Sequence, residues 1–291
     1  IRDSILKRTK DLEDLEKEIA ELDEILKSKA RIKTIIVKEL KSIAEKYGQP
    51  RKSIIIYDDV ARYEEEAIEI PDYPVNLFFT KEGYFKKITP QSLRMSGEQK
   101  LKDGDEIVQE LEFTNNCDLL FFTDKCQVYK AKADDFAQTK ASVLGDYVAA
   151  KLGFDEGENA VKMVVTKDYK GMLLFAFENG KAAKVPLESY ATKTNRKKLT
   201  GAYSDKSPLV GLLYMPEDEE VLFKASSGNM LLVHTGALAL KTTRSTQGVA
   251  VLKPKKGHRL FSIERYKDGT FTNPKRYRTG SLPARGALPV N

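Results

Sequence analysis

The chain has no tryptophan, and only two cysteines and two histidines, among its 291 residues. Cys117 and Cys126 flank one expected strand, so they cannot build a disulfide framework, and a reducing cytoplasm is the expected setting. His234 and His258 stand far apart without ligand-spaced partners, which argues against a metal site and against a Ser-His-Asp arrangement. No apolar run approaches the roughly 20 residues needed to cross a bilayer, so no membrane partner is expected. A phosphate-cradling Gly-x-x-x-x-Gly-Lys loop is also missing. The N-terminus is charged and helical in pattern, with no visible signal peptide. The first residue is Ile rather than Met, as expected of a segment cut from a longer protein.

What the chain does have is one phrase written four times. Leu77–Ile88 reads as an apolar run, a polar turn with a glycine, then a second run ending in basic residues. Leu119–Lys130, Leu173–Lys184 and Val221–Leu232 repeat it. Each reads as a β-hairpin. Their turn positions, Gly83, Cys126, Gly180 and Gly228, lie 43, 54 and 48 residues apart. A hairpin recurring at this period marks a blade-type β array. Cys126 occupies a turn position that is glycine in the other copies and is read as a small turn residue.

Further strands are expected before each following hairpin, over Glu106–Phe113, Ala160–Thr166, Leu209–Met215 and Leu260–Arg265. The polar segments between add Gly145–Lys151, Leu199–Tyr203 and Gln247–Leu252. The expectation is a mainly-β, propeller-like fold of four to five four-stranded blades over 75–266, preceded by a helical coiled-coil segment. That helical segment covers 1–50. Leu12, Leu15, Ile19, Leu22 and Leu26 form a narrow apolar seam, and a second helix is expected over Ile32–Tyr47. So short a seam expects a partner helix. Residues 51–74 read as a connector with one strand signal at Ser53–Tyr57 and a charged loop at Glu64–Glu66. Residues 267–291, rich in proline, glycine and basic side chains, read as a disordered basic tail.

Formal net charge is +6, and residues 1–50 account for only +1 of it. The position four after each turn is Lys87, Lys130, Lys184 and then Leu232. Blades set round an axis would place these lysines, with Lys86 and Lys132 beside them, along one rim. Clusters between the copies add Lys193, Arg196, Lys197 and Lys198; Lys241 and Arg244; and Lys253, Lys255 and Lys256. A curved cationic track suits a bent polyphosphate backbone, so double-stranded DNA is the expected partner, bound by backbone and shape rather than by base sequence. The alternative role of such residues is to solubilise loops and guard sheet edges. Carboxylate pairs such as Asp134–Asp135 sit adjacent in polar loops, not opposed across a cleft, and support no acid–base chemistry.

The order of parts resembles a known family. The helix carrying Glu39-Leu40, Ile43-Ala44-Glu45-Lys46-Tyr47-Gly48 and then Arg51-Lys52, followed by hairpins of Phe-Phe-Thr-x-x-Gly type, looks like the C-terminal half of the A subunit of bacterial type IIA DNA topoisomerases, DNA gyrase and topoisomerase IV. The resemblance spans roughly 5–265. It implies that 1–48 ends a coiled-coil gate arm and that the repeats form a β-pinwheel, a blade array with strands exchanged between neighbours, which binds and bends DNA. It implies partners: the remainder of the A subunit, the ATPase B subunit, and an A-subunit homodimer formed through a gate region outside this chain. The full enzyme, an isomerase of the cytoplasmic nucleoid, would use ATP and Mg. This chain lacks the catalytic tyrosine, carries no cofactor and should be inactive alone.

The resemblance also points within the family. Gyrase carries a Gln-Arg-Arg-Gly-Gly-Lys-Gly box in the first copy's loop; here Ser92–Lys102 matches it only at Arg94, Gly97 and Lys100. A topoisomerase IV-like subunit fits better. The alternatives are a gyrase-like domain with a degenerate box, which wraps DNA for negative supercoiling, and a protein-binding propeller.

Overall fold

The computed structural model describes residues 2–49, 70–95, 98–192 and 197–289. The chain divides into two compact units, Ile1–Ala67 and Ile68–Asn291. In the first, α1 (Arg2–Lys27) and α2 (Lys29–Tyr47) are separated by Ser28, whose hydroxyl caps α2 by accepting from Arg31 N at 3.4 Å. The seam residues Leu12, Leu15, Ile19, Leu22 and Leu26 are exposed in this chain. Gly48 ends α2 in extended backbone, its N–H on Ala44 O at 2.7 Å. The strand signal at Ser53–Tyr57 and the acidic run Glu64–Glu66 lie outside the described residues.

The second unit is a walk of hairpins. β1 (Pro74–Thr80) and β2 (Tyr84–Ile88) turn at Gly83, a short helix α3 (Pro90–Arg94) follows, and β3 (Ile107–Thr114) returns to β1. β4 (Asp118–Thr123) and β5 (Gln127–Lys132) form the second hairpin. The chain then makes a 3₁₀ turn at Ala133–Asp135, a two-residue strand β6 (Asp146–Tyr147), a helix α4 (Val148–Leu152) and β7 (Ala160–Thr166). β8 (Met172–Phe177) and β9 (Lys181–Pro186) lead through a 3₁₀ turn at Leu187–Tyr190 to β10 (Lys198–Thr200) and β11 (Leu209–Met215). β12 (Glu220–Ala225) and β13 (Met230–His234) lead through Thr235–Ala237 to β14 (Val249–Ala250) and β15 (Leu260–Arg265). All four turn positions hold positive φ, including Cys126 at 56°, so the cysteine does there what glycine does elsewhere.

The sheets are not built from consecutive strands. Their orders are β3-β1-β2-β6, β10-β5-β4-β7, β11-β8-β9-β14 and β13-β12-β15. The fourth strand of each of the first three sheets is donated by the chain after it has left the next hairpin. Four sheets result, in a propeller-like ring, and strands are exchanged between neighbouring blades as the family resemblance implies. The three expected polar-segment strands are present but short, and Val148–Leu152 is helical instead.

Burial explains the unbroken apolar runs. The first strand of each of the first three hairpins is covered on both faces, so alternation of polar and apolar residues disappears. Alternate residues still part company. Phe79 and Phe121 pack between the first and second sheets, Phe122 and Phe175 between the second and third, and Leu174 and Phe223 between the third and fourth.

The expectation of a disordered tail is overturned for 267–289. Ala287 pairs with Met230, Arg278 with Leu232 and Ala284 with Leu252. Tyr277 is buried against Leu222 and Leu232. Met230↔Ala287 stands where Phe85↔Asp146 and Ala182↔Val249 stand in the first and third sheets. The tail therefore occupies, through a single bridge, the place that a fourth strand takes in the other sheets. A composition poor in apolar residues hid this, because a donated strand is held mainly by its backbone.

Candidate nucleic-acid interface

The rim of repeated lysines does not exist. Lys86 is 1% exposed, Lys87 2% and Lys184 5%, and Lys130 is half-buried. The middle of each hairpin's second strand is enclosed between neighbouring blades, so a side chain there points into protein whatever its charge. Lys87 Nζ donates to Asn115 Oδ1 at 2.6 Å and to Ala133 O at 2.7 Å. Lys130 Nζ donates to Tyr190 O at 3.0 Å and Thr192 Oγ1 at 3.1 Å. Lys184 Nζ donates to Thr235 O and Asp218 Oδ1, both at 2.9 Å. Ala133, Tyr190 and Thr235 all belong to the 3₁₀ turn of the following blade. The recurring lysine is thus a clamp between one blade and the next, giving a charged donor to a carbonyl of the next blade's turn.

Burial pushes the Lys86, Lys87 and Lys130 ammonium groups below the usual lysine range. Asp218, which accepts from Lys184, is held below the usual carboxylate range by that bond. Lys86 faces the other way and donates to Lys100 O at 2.6 Å, Ala141 O at 3.2 Å and Gln99 Oε1 at 3.3 Å. In the last hairpin the position is Leu232, which packs on Tyr277, the residue after the 3₁₀ turn Pro274–Arg276, with no ammonium group to bond that turn. The sequence signal for all this was the apolar company, as in Phe85-Lys86-Lys87-Ile88 and Ala182-Ala183-Lys184-Val185, which marks a strand with no wet face.

The other expected contacts divide by charge partner. Many cations at or near the surface are already neutralised: Lys81 by Glu106 at 3.0 Å, Lys167 by Asp72 at 2.6 Å, half-buried Lys224 by Glu264 at 2.6 Å and Arg265 by Glu219 at 2.9 Å. Lys198 belongs with these, 2.7 Å from Asp155. Arg244 is partly buried, donating to Ser189 O at 3.3 Å and lying over the Tyr190 ring. By contrast Arg94, Lys100, Lys132, Lys197, Lys241, Lys253, Lys255 and Lys256 are exposed and make no ion pair among the described residues. Lys193 and Arg196 lie outside the described residues, as does Gly97 of the loop compared with the gyrase box.

Topology gathers several of these free cations. Gln109 of β3 exchanges two 2.8 Å hydrogen bonds with the Met163 backbone of β7, so those strands form the edge where sheets meet. The donated strands β6, β10 and β14 lie at the opposite, outer edge. Each is delivered across that edge by a crossover: 136–145 with Lys140 leads to β6, Lys197 immediately precedes β10, and 238–248 with Lys241 leads to β14. Lys140 is also exposed and without an ion-pair partner among the described residues. One exposed, unneutralised cation therefore recurs on each crossover. Sequence reasoning found Lys197 and Lys241 as loop clusters and missed Lys140, which stands alone between uncharged residues.

Among the described residues no group of acidic, cysteine or histidine side chains is arranged to hold a metal ion. No helix among them is long and apolar enough to cross a membrane. Burial pushes the Cys117 thiol up to about 12, away from nucleophilic use.

No protein-family model matches the chain. Among curated proteins it is 28% identical over 276 residues to the A subunit of DNA gyrase from Streptomyces coelicolor, covering 89% of this chain and 32% of that protein. It is 28% identical over 271 residues to the A subunit of DNA gyrase from Mycobacterium tuberculosis, covering 90% and 32%. The chain spans about a third of the length of these relatives. Among solved structures, the C-terminal domain of DNA topoisomerase IV superposes with a TM-score of 0.60 at 24% identity, covering 68% of this chain and 63% of that one. The E. coli ParC C-terminal domain superposes with a TM-score of 0.51 at 15% identity, covering 65% and 78%. The likeness to these structures is one of fold.

Proposed function

We propose, for a chain whose homologues are DNA gyrase A subunits and whose fold is that of the topoisomerase C-terminal domains, that the blade array binds double-stranded DNA along its outer edge and bends it. It would do so as the C-terminal part of the A component of a type II topoisomerase, an isomerase that depends on the rest of that component and on an ATPase partner for strand passage. The observation that carries this reading is the recurrence, on every crossover, of an exposed cation with no ion-pair partner among the described residues: Lys140, Lys197 and Lys241. Phosphate is what an unneutralised cation at an exposed loop can still gain by meeting. Lys100 and Arg94 at the first blade, and Lys253, Lys255 and Lys256 beside β14, extend the same surface.

Within this reading the protein is topoisomerase IV-like. The loop that carries a basic, glycine-rich box in gyrase keeps only Arg94, Gly97 and Lys100 of it here. Fewer phosphate contacts at that blade favour guiding a bent segment over wrapping it fully.

The test is duplex binding by fluorescence anisotropy across salt. About six phosphate contacts predict a loss of about a thousandfold in affinity between about 50 and 200 mM salt, with little sequence preference. Affinity that is flat over that range would rule out phosphate contact. A chain that binds no duplex but retains a protein would be a protein-binding propeller.

A further inference from the structure

The crossovers carry more than charge. Counting from the first residue of the turn that follows each hairpin, the position five residues on is Met95 after Pro90, Gln138 after Ala133, Thr192 after Leu187 and Leu240 after Thr235. In the second and fourth segments this position starts across the outer edge, Gln138 bridging to Lys87 and Leu240 to Lys184, whereas Met95 follows α3 and precedes β3 of its own sheet. The two middle positions are polar and engaged, Gln138 donating to the Tyr73 hydroxyl at 2.7 Å and Thr192 accepting from Lys130. The two end positions are large, unbranched or γ-branched, and apolar. Met95 is 86% exposed and Leu240 50%. Each sits next to an exposed, unpaired cation, Arg94 and Lys241.

An exposed leucine alone means nothing. Here, however, the two apolar residues at this count from the turn flank the polar pair, and both protrude beside charges suited to phosphate. Proteins that kink duplexes from the minor-groove side do so with this pairing: an apolar side chain enters a base step while neighbouring cations hold the flanking phosphates. Resting on the DNA-binding reading above, we infer that Met95 and Leu240 are wedges that enter base steps at two points of the bound duplex and concentrate its bend there. The ligand is duplex DNA containing flexible pyrimidine–purine steps, because those unstack at the least cost.

Two measurements on the full chain test this. Bending is read by energy transfer between dyes at the ends of a duplex of about 60 base pairs. Affinity is compared between a duplex rich in TA steps and a stiff A-tract duplex of equal length. The wild type should bend the TA-rich duplex and favour it by about fivefold or more. The double variant Met95→Ala with Leu240→Ala should keep affinity for the A-tract duplex within about twofold, lose most of the bend-dependent energy transfer, and bind both duplexes alike. Single variants should each lose part, and Met95→Leu should restore what Met95→Ala loses. Both sites are exposed, so folding is checked by an unchanged thermal midpoint. A double variant that bends DNA as the wild type does overturns the wedges while leaving the binding surface intact. Failure of the wild type to bind either duplex at low salt overturns the binding surface and the wedges together.

Discussion

The Lys87 ammonium lies between Asn115 Oδ1 and Ala133 O, with 2% of the residue exposed. Methionine there would fill the space and leave Asn115 Oδ1 without its donor and Ala133 O with only the Phe136 N–H at 3.2 Å. Lys87→Met should therefore destabilise the fold by about 2–4 kcal/mol, measured by urea unfolding, whereas exposed Lys241→Met should change stability by less than about 0.5 kcal/mol. Equal effects at the two positions would refute the clamp. Lys184 gives a pH signature. Its hydrogen bond holds Asp218 below the usual carboxylate range, so the folded pKa lies under the unfolded one. That contribution is present above the unfolded value and disappears as the pH falls through the folded value. Between about pH 5 and pH 3 the thermal midpoint of the wild type should drop more than that of Lys184→Met. At this scale the sequence misled: a lysine repeated in register reads as a surface rule, and nothing in the spacing of Lys87 reveals that Ala133 and Asn115 will close over it.

At the scale of the element, the donated strands depend on close backbone approach. Gly145, Gly248 and Gly286 precede the pairing residues of the first, third and fourth sheets, and all three have positive φ. A Cβ on Gly248 would come within 2.0 Å of Ala182 O, and one on Gly286 within 2.4 Å of Met230 O. Gly104 also has positive φ but open space around it. Gly104→Ala should cost about 1 kcal/mol for its backbone alone, and Gly248→Ala about 3 kcal/mol or more, because the strand must lift away. Equal costs would mean that the contact is not what fixes this glycine. Hairpins and inner strands were legible in the sequence, since long apolar runs and turn glycines report burial and φ directly. The destinations of the short strands were not: Asp146–Tyr147 and Val249–Ala250 are too brief to show a pattern, and their partners lie one blade back. The tail was misread for the same reason, as Ala287 adds backbone pairing but almost no apolar area.

For the whole molecule the measurable consequence of the charge layout is a slope. Replacing Lys140, Lys197 and Lys241 together with methionine should weaken duplex binding at every sequence and reduce the salt slope by about three. The thermal midpoint should be unchanged. An unaltered slope would move the interface elsewhere. What the sequence revealed of this interface was its loops, where a lysine has no alternative to solvent; what it concealed was which cations meet a carboxylate, as Lys198 does with Asp155 across 43 positions of chain.

The strand exchange runs in one direction, each sheet waiting for residues that follow the next hairpin. As the polypeptide leaves the ribosome, then, the first sheet is incomplete until Asp146 emerges, the third until Val249 and the last until Ala287. Maturation should advance as a zipper, in which the segment around Ala287 closes after Val249. A chain stopped at Arg265 would accordingly be left with an open edge at Met230, and its loss of protection against hydrogen exchange should be greatest in β12 and β13 and fade toward the first hairpin.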